Sequence, residues 1–313
     1  MVPVLEANHE YCRDAVLAAV RARGGGAQKA LDYGCGAGQV VGALCHCGVD
    51  AFGCDVFYAG GSHLENVERS PLFQEGRIRP MTGSRAEFDE GTFDVVFSNQ
   101  VLEHVVDLDE TLDEMARVLK PGGLVLSLFP DRAIWREGHC GIPFVHWFPK
   151  GSRLRVRVRY TLAFAALGFG YNREGKGRRQ WARDICQWLD DWTYYRRLED
   201  IHTSFGRRFE SIRHVEHEYL TFRMARSRVA ALIPVFKIPG GARVGAWVVR
   251  KGMGLISSSG RRNRSESCER AERRARRAHA LPRRPTDRQR LRPRALRKSR
   301  NSLSVPSRIA ASE

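Results

Sequence analysis

The stretch Leu31–Gln39, LDYGCGAGQ, most constrains what this chain can fold into. Gly34, Gly36 and Gly38 follow directly on Lys29–Tyr33, an apolar run that reads as a buried strand. The next residues, Gln39–Cys47, have helical spacing. A strand that turns through glycines into a helix opens a nucleotide-binding α/β layer. The alternation then continues. Ala51–Val56 and Arg77–Thr82 read as strands around a helix at Ser62–Glu68, and Phe93–Ser98 and Gly123–Phe129 are the clearest strands. Between those two, Leu108, Leu112, Met115 and Leu119 repeat at helical spacing, with acids in the first turn and Pro121-Gly122-Gly123 as a stop. An amphipathic helix is expected ahead of all this, over Glu10–Arg23. Strands alternating with helices predict a doubly wound, mostly parallel sheet whose ligand sits at the carboxyl ends of its strands.

The spacing selects the ligand. A dinucleotide turn needs G-x-G-x-x-G and a P-loop needs a Gly-Lys-Ser/Thr end; this turn is G-x-G-x-G followed by Gln39. Asp32, two residues before the first glycine, suits a ligand that carries an ammonium group. Asp55, at the tip of the next strand, is placed to take both hydroxyls of a ribose. Ammonium, carboxylate, ribose and no phosphate describe S-adenosylmethionine.

Four blocks in order, D-x-G-x-G-x-G at Asp32–Gly38, the acidic strand end at Asp55, FDVVFSNQVLEHV at Phe93–Val105 and ARVLKPGG at Ala116–Gly123, make the chain resemble the class I S-adenosylmethionine-dependent methyltransferases, type 11 in particular. The likeness spans about Leu31–Pro130. It implies a seven-stranded Rossmann-like sheet and a methyl-transferring enzyme. It also implies a cofactor held by the turn residues Asp32, Gly34, Cys35, Gly36, Gly38 and Gln39. Asp55 and Val56 on the second strand and Asn99 and Gln100 after the fourth complete the expected cofactor site. Where the family often presents a carboxylate to adenine, this chain has Thr82, which leaves backbone groups around Gly83–Ala86 for that contact.

Methyl transfer from a sulfonium is an in-line displacement governed by positioning, and a base is required only if the acceptor holds its proton. The candidate groups are Glu103-His104, after the fourth strand, and His139 and His146 further on, with His104 the first candidate base and His139 the second. Each histidine also reads as an ordinary structural residue. The Glu-x-x-Glu-His metal motif of ubiquinone-type O-methyltransferases falls here on Gln100-Val-Leu-Glu103-His104, so its first carboxylate is missing and no metal is expected. Nor can Cys45 and Cys47, two apart on a helix, easily share an ion.

Residues 131–200 break the rhythm and hold five of the six tryptophans, Trp135, Trp147, Trp181, Trp188 and Trp192. They read as a helical lid over the acceptor. Within them RLRVRVRY (Arg153–Tyr160) fits either a strand or a helix. Beyond the lid, Leu198–Phe209 reads as a helix, and Phe209–Phe222 and Val244–Arg250 as closing strands.

Charge divides the chain. Its formal net charge is +17, but residues 261–313 hold 18 basic against 5 acidic side chains and no Phe, Trp or Tyr. Such a segment cannot bury enough surface to offset its ordering entropy. Hence a methyltransferase domain over 1–256 and a basic, disordered tail over 257–313 are expected. The tail admits a rival function, nucleic-acid binding or RNA methylation, although it lacks the aromatics of single-strand binders. With no apolar run long enough to span a bilayer and no signal-like N-terminus, a cytoplasmic enzyme acting on a small molecule or saccharide precursor is the favoured reading.

Overall fold

A computed structural model describes residues 5–24, 28–58, 64–165, 175–226 and 256–260. Helix α1 (Ala7–Ala22) leads into β1 (Lys29–Tyr33), α2 (Gln39–His46) and β2 (Asp50–Asp55). Two single-turn helices, α3 (Leu64–Val67) and α4 (Pro71–Gln74), precede β3 (Ile78–Pro80). Then come β4 (Phe93–Asn99), α5 (Leu108–Val118) and β5 (Leu119–Phe129). The lid region supplies α6 (Arg153–Phe164) and α7 (Arg178–Trp192), followed by α8 (Leu198–Gly206), β6 (Arg213–His214), α9 (Glu216–Ala225) and β7 (Ile256–Gly260).

The sheet runs β3-β2-β1-β4-β5-β7-β6. Its first five strands are parallel, and β7 joins β5 and β6 antiparallel. The expected parallel layer is therefore five strands wide, and its remaining edge is antiparallel. Alternate residues of each strand feed opposite faces. Ala30, Val95, Phe97, Leu126 and Leu128 pack with α1, α2 and α9; Leu31, Val96, Val125 and Phe129 pack with α5 and α8. Burial on both faces explains why the middle of β4, Val95 to Phe97, is continuously apolar. Strand order reverses between β1 and β4, and that reversal opens a crevice at their carboxyl ends.

Several boundaries differ from the sequence reading. Phe209–Phe222 is not a strand: only Arg213–His214 pairs, and Glu216–Ala225 is helical. There Tyr219, Leu220 and Met224 pack with α1 at a helical spacing. The segment Arg153–Phe164 resolves as a helix, with Leu154 and Val156 exposed. β5 starts at Leu119, so Pro121 and Gly122 lie within the strand's irregular first residues. β7 carries the sheet four residues past the expected domain end at 256. Val244–Arg250 and 261–313 lie outside the described residues.

The lid region has an apolar centre of its own, in which Cys140, Ile142 and Val145 pack against Trp181, Ile185 and Leu189 of α7. Near the foot of the sheet, Asp94 accepts the Lys29 amide at 2.9 Å and the Lys120 ammonium at 2.8 Å, tying β1, β4 and β5 together. Burial works against the Asp94 charge, but these partners outweigh it and hold its carboxyl below the ordinary range.

Candidate active site

The turn after β1 needs its glycines for different reasons. Gly34, Gly36 and Gly38 all have positive φ, at 83°, 52° and 75°. A Cβ on Gly34 would stand 2.4 Å from Val101 Cγ2, and one on Gly38 would stand 2.3 Å from Ile78 Cδ1. Gly38 is the residue preceding α2, and it lines neither cavity described below, so its part is to seat the helix. Asp55, nearly buried at the tip of β2, closes the turn, since one carboxylate oxygen accepts Gly36 N–H at 2.8 Å and the other Phe57 N–H at 2.9 Å. Each oxygen keeps a second lone pair for a ligand hydroxyl.

Two cavities meet at this turn. The smaller, about 280 Å³, is walled by His9, Asp32, Gly34, Cys35, Gly36, Gln39 and Asn99, among others. The larger, about 550 Å³, runs from Gly34, Gly36, Asp55 and Val56 past Gln100 to His104, Trp192 and Tyr194. Of the ten expected cofactor residues, nine therefore line one cavity or the other. Cys35 is tucked against the β2 backbone, where a Cβ on Gly53 would lie 2.6 Å from its sulfur.

The smaller cavity has unspent polarity. Asp32 is 3% exposed, and its Oδ1 has no hydrogen-bond partner among the described residues; His9 Nδ1 and Asn99 Oδ1 are likewise buried without one. Burial, reinforced by the nearby Asp55 charge, pushes the Asp32 carboxyl well above its ordinary range. A ligand ammonium would satisfy Asp32 and restore its charge, so the donor set fits the amino acid end of S-adenosylmethionine. Toward the proposed adenine end, Gly83 and Ser84 line the larger cavity. Within that loop, the Ser84 carbonyl already receives the Tyr33 hydroxyl at 2.6 Å, and Ala86 N–H donates to Glu114.

The far wall holds the histidines. His104 Nδ1 lies 2.6 Å from the Trp192 carbonyl, which only accepts, so this nitrogen carries the hydrogen. Its Nε2 faces His139 Nε2 at 3.2 Å. Behind His139, Nδ1 lies 2.7 Å from Glu137, and the Tyr195 hydroxyl donates to the same carboxylate oxygen at 2.5 Å. The other Glu137 oxygen accepts the His139 and Cys140 amides. Burial opposes the Glu137 charge, yet the hydrogen bond from His139 and its fellows outweighs it and holds the carboxyl down to about 2. Burial, together with His139, holds His104 down to about 4, whereas burial of His139 is outweighed by Glu137 and its basicity rises. Glu103, 2% exposed, is pushed up to about 8 by burial, and neither of its carboxylate oxygens has a partner among the described residues. His146 is spent elsewhere: it is buried with Nε2 2.9 Å from the Ile134 carbonyl.

The expected pair His104 and His139 is thus brought together from segments 35 residues apart. Sequence reasoning named Glu103 beside His104 but missed Glu137 and Tyr195 behind His139, and His9 on α1. The motif EGH at Glu137–His139 carried a usable signal, a carboxylate two residues from an imidazole; His9 and Tyr195 carried none.

Known proteins match the first part of the chain. The family described as "Methyltransferase domain" matches residues 31–127. The chain is 31% identical over 128 residues to a "Ubiquinone biosynthesis O-methyltransferase" of Chelativorans sp. (strain BNC1), covering 39% of this chain and 49% of that protein. It is 36% identical over 108 residues to the protein of the same name from Methylococcus capsulatus (strain ATCC 33009 / NCIMB 11132 / Bath), covering 34% and 45%. This chain therefore spans about half the length of the relatives it matches. Among solved structures it is similar to a geranyl diphosphate methyltransferase in complex with SAM, at 15% identity and a TM-score of 0.43, covering 82% of this chain and 85% of that one. With its glycine turn, its Asp55 latch and this family match over β1 to β5, the chain carries a class I methyltransferase domain whose cofactor is S-adenosylmethionine.

Proposed function

We propose that the protein transfers a methyl group from S-adenosylmethionine to an oxygen of a small hydroxylated molecule, saccharide precursors included, in the cytoplasm. One observation carries this reading: a single cavity is walled at one end by Gly34 and Asp55 and at the other by His104. The cofactor supplies an electrophilic methyl on a neutral leaving group. Asp32, Asn99 and His9 hold its amino acid end, and Asp55 holds its ribose. His104 and His139 face the acceptor hydroxyl and govern its proton. The lid contributes Trp192, which packs on Tyr58 with ring centroids 4.7 Å apart and forms an aromatic wall for the acceptor. The name shared by the relatives supports oxygen as the methylated atom.

Incubating the full chain with methyl-labelled S-adenosylmethionine and a panel of hydroxylated small molecules tests the proposal. The expected product is a labelled methyl ether. His104→Asn is expected to lower its formation about 10²–10⁴-fold, with cofactor affinity nearly unchanged. Label appearing only on nitrogen or carbon of the acceptor, or on RNA, would overturn the reading.

A further inference from the structure

We propose that Arg196 is a positioning residue for His104: its guanidinium braces the β4–α5 turn, and the segment it belongs to aims the ring. The brace stands on geometry alone, whereas its effect on turnover rests on the O-methylation reading above.

Residues 192–196 follow α7 and are bonded to that turn at several points. The Trp192 carbonyl receives His104 Nδ1 at 2.6 Å, and Tyr194 N–H donates to the Glu103 carbonyl at 2.6 Å. The Arg196 carbonyl accepts the Arg132 amide at 2.7 Å, which ties the same segment to the residues after β5. The Arg196 side chain then reaches back to the turn. One terminal nitrogen donates to the Leu102 carbonyl at 3.0 Å and to the Tyr194 carbonyl at 2.9 Å. The other donates to the Val105 and Val106 carbonyls at 2.7 and 2.8 Å. One planar group thus holds three carbonyls of the turn and one of its own segment, and in sequence His104 stands between Leu102 and Val105.

Arg196 is half-buried, and among the described residues it makes no ion pair with a carboxylate. Burial works against its charge and lowers its pKa, an effect that Asp107 only partly offsets. A cation kept partly out of water for the sake of peptide carbonyls serves the geometry those carbonyls fix. The guanidinium suits the task because its donors lie in one rigid plane and can span several acceptors, whereas an ammonium is a point charge. What the brace fixes is a wall of the larger cavity. Val101, His104, Val105 and Val106 line it from the turn, and Trp192 and Tyr194 from the segment. A part in folding alone fits less well. Cys140, Ile142 and Val145 pack against α7 without Arg196, and the two faces of the sheet are packed without it as well. Arg196 joins these separately packed regions at the point where His104 stands.

The test uses the full chain with isotope-labelled histidine nitrogens, read by NMR. In the parent, His104 is expected to show a single tautomer with its hydrogen on Nδ1. Arg196→Gln keeps part of the stem and removes the fork. It is expected to spread the His104 signals over both tautomers while S-adenosylmethionine affinity, by calorimetry, stays nearly unchanged. Turnover of the panel compound that yields the labelled ether is expected to fall about 10–100-fold, the scale of an ångström-sized misplacement. Arg196→Lys is expected to recover little, since one ammonium cannot reach three separate carbonyls. Guanidinium chloride below denaturing concentrations is expected to restore part of the turnover of Arg196→Ala, where sodium chloride does not. Arg197→Gln, at the exposed neighbouring position, is expected to behave as the parent. Arg196→Gln and Arg196→Lys variants that keep the parent's His104 signals and turnover overturn the proposal. So does a joint loss of melting temperature and cofactor affinity that guanidinium does not repair, which would make Arg196 a residue of the fold only. A His104 ring set loose with turnover undiminished leaves the brace standing and overturns the part given to His104 in methyl transfer.

Discussion

Asp55 accepts the Gly36 amide at 2.8 Å, so the carboxylate at the tip of β2 shapes the turn after β1 as well as lining the larger cavity. Asp55→Ala should therefore cost binding twice, through the lost ribose contact and through a loosened turn. The expected loss in S-adenosylmethionine affinity is about 1.5–3 kcal/mol, the scale of hydrogen bonds to a charged group. Calorimetry on the folded variant measures it; unchanged affinity removes Asp55 from the site.

Gly34→Ala places a methyl group against Val101 at a φ of 83°. Strain and overlap together are expected to abolish measurable cofactor binding. The double variant Gly34→Ala/Val101→Ala removes the overlap but not the strain, so partial recovery is expected. Complete recovery would show that the backbone conformation contributes little.

His9→Ala is expected to weaken S-adenosylmethionine binding by about 1 kcal/mol, one hydrogen bond's net worth, while the melting temperature stays put. His9 lines the small cavity with a buried ring nitrogen that has no partner among the described residues, and burial lowers its pKa, so it meets the ligand as a neutral ring. A fall in melting temperature with unchanged affinity would make it a packing residue only.

Asp94 gives a pH dependence. Its folded pKa lies below the ordinary carboxylate value, so its stabilisation is present above about pH 4 and disappears as pH falls through the folded value. Asp94→Asn is expected to cost about 1–2 kcal/mol at pH 7, after discounting the 40% exposed Lys120 side chain. The gap between variant and parent should narrow below pH 4. A gap constant from pH 7 to 3 would exclude the ion pair as its source.

The glycine turn and the strands around it were readable because their signals are local. Lys29–Tyr33 is a strand with the expected bounds, and α5 announced itself through apolar periodicity and its acidic first turn. The histidine cluster was only half legible. His104 and His139 were named, but nothing local says that Glu137 backs one ring, that Trp192 backs the other, or that Glu103 points into the same space. Those relationships depend on how residues 131–200 pack against the β4–α5 turn, a long-range property. The α9 error had another origin, since the buried Tyr219, Leu220 and Met224 follow a helical spacing over only ten residues.

The place of β7 in the sheet bears on how the chain matures. Residues 256–260 pair with both β5 and β6, although β5 ends at residue 129. While the polypeptide is being synthesised, the outer edge of β5 therefore waits for about 127 further residues before its partner exists. An unpaired edge strand is a template for association with other chains. The nascent protein consequently spends much of its synthesis with an adhesive border, and its final closure is a late event of high contact order. Shortened products that stop before residue 256 are expected to accumulate as aggregates even though every residue of the cofactor site has already been made.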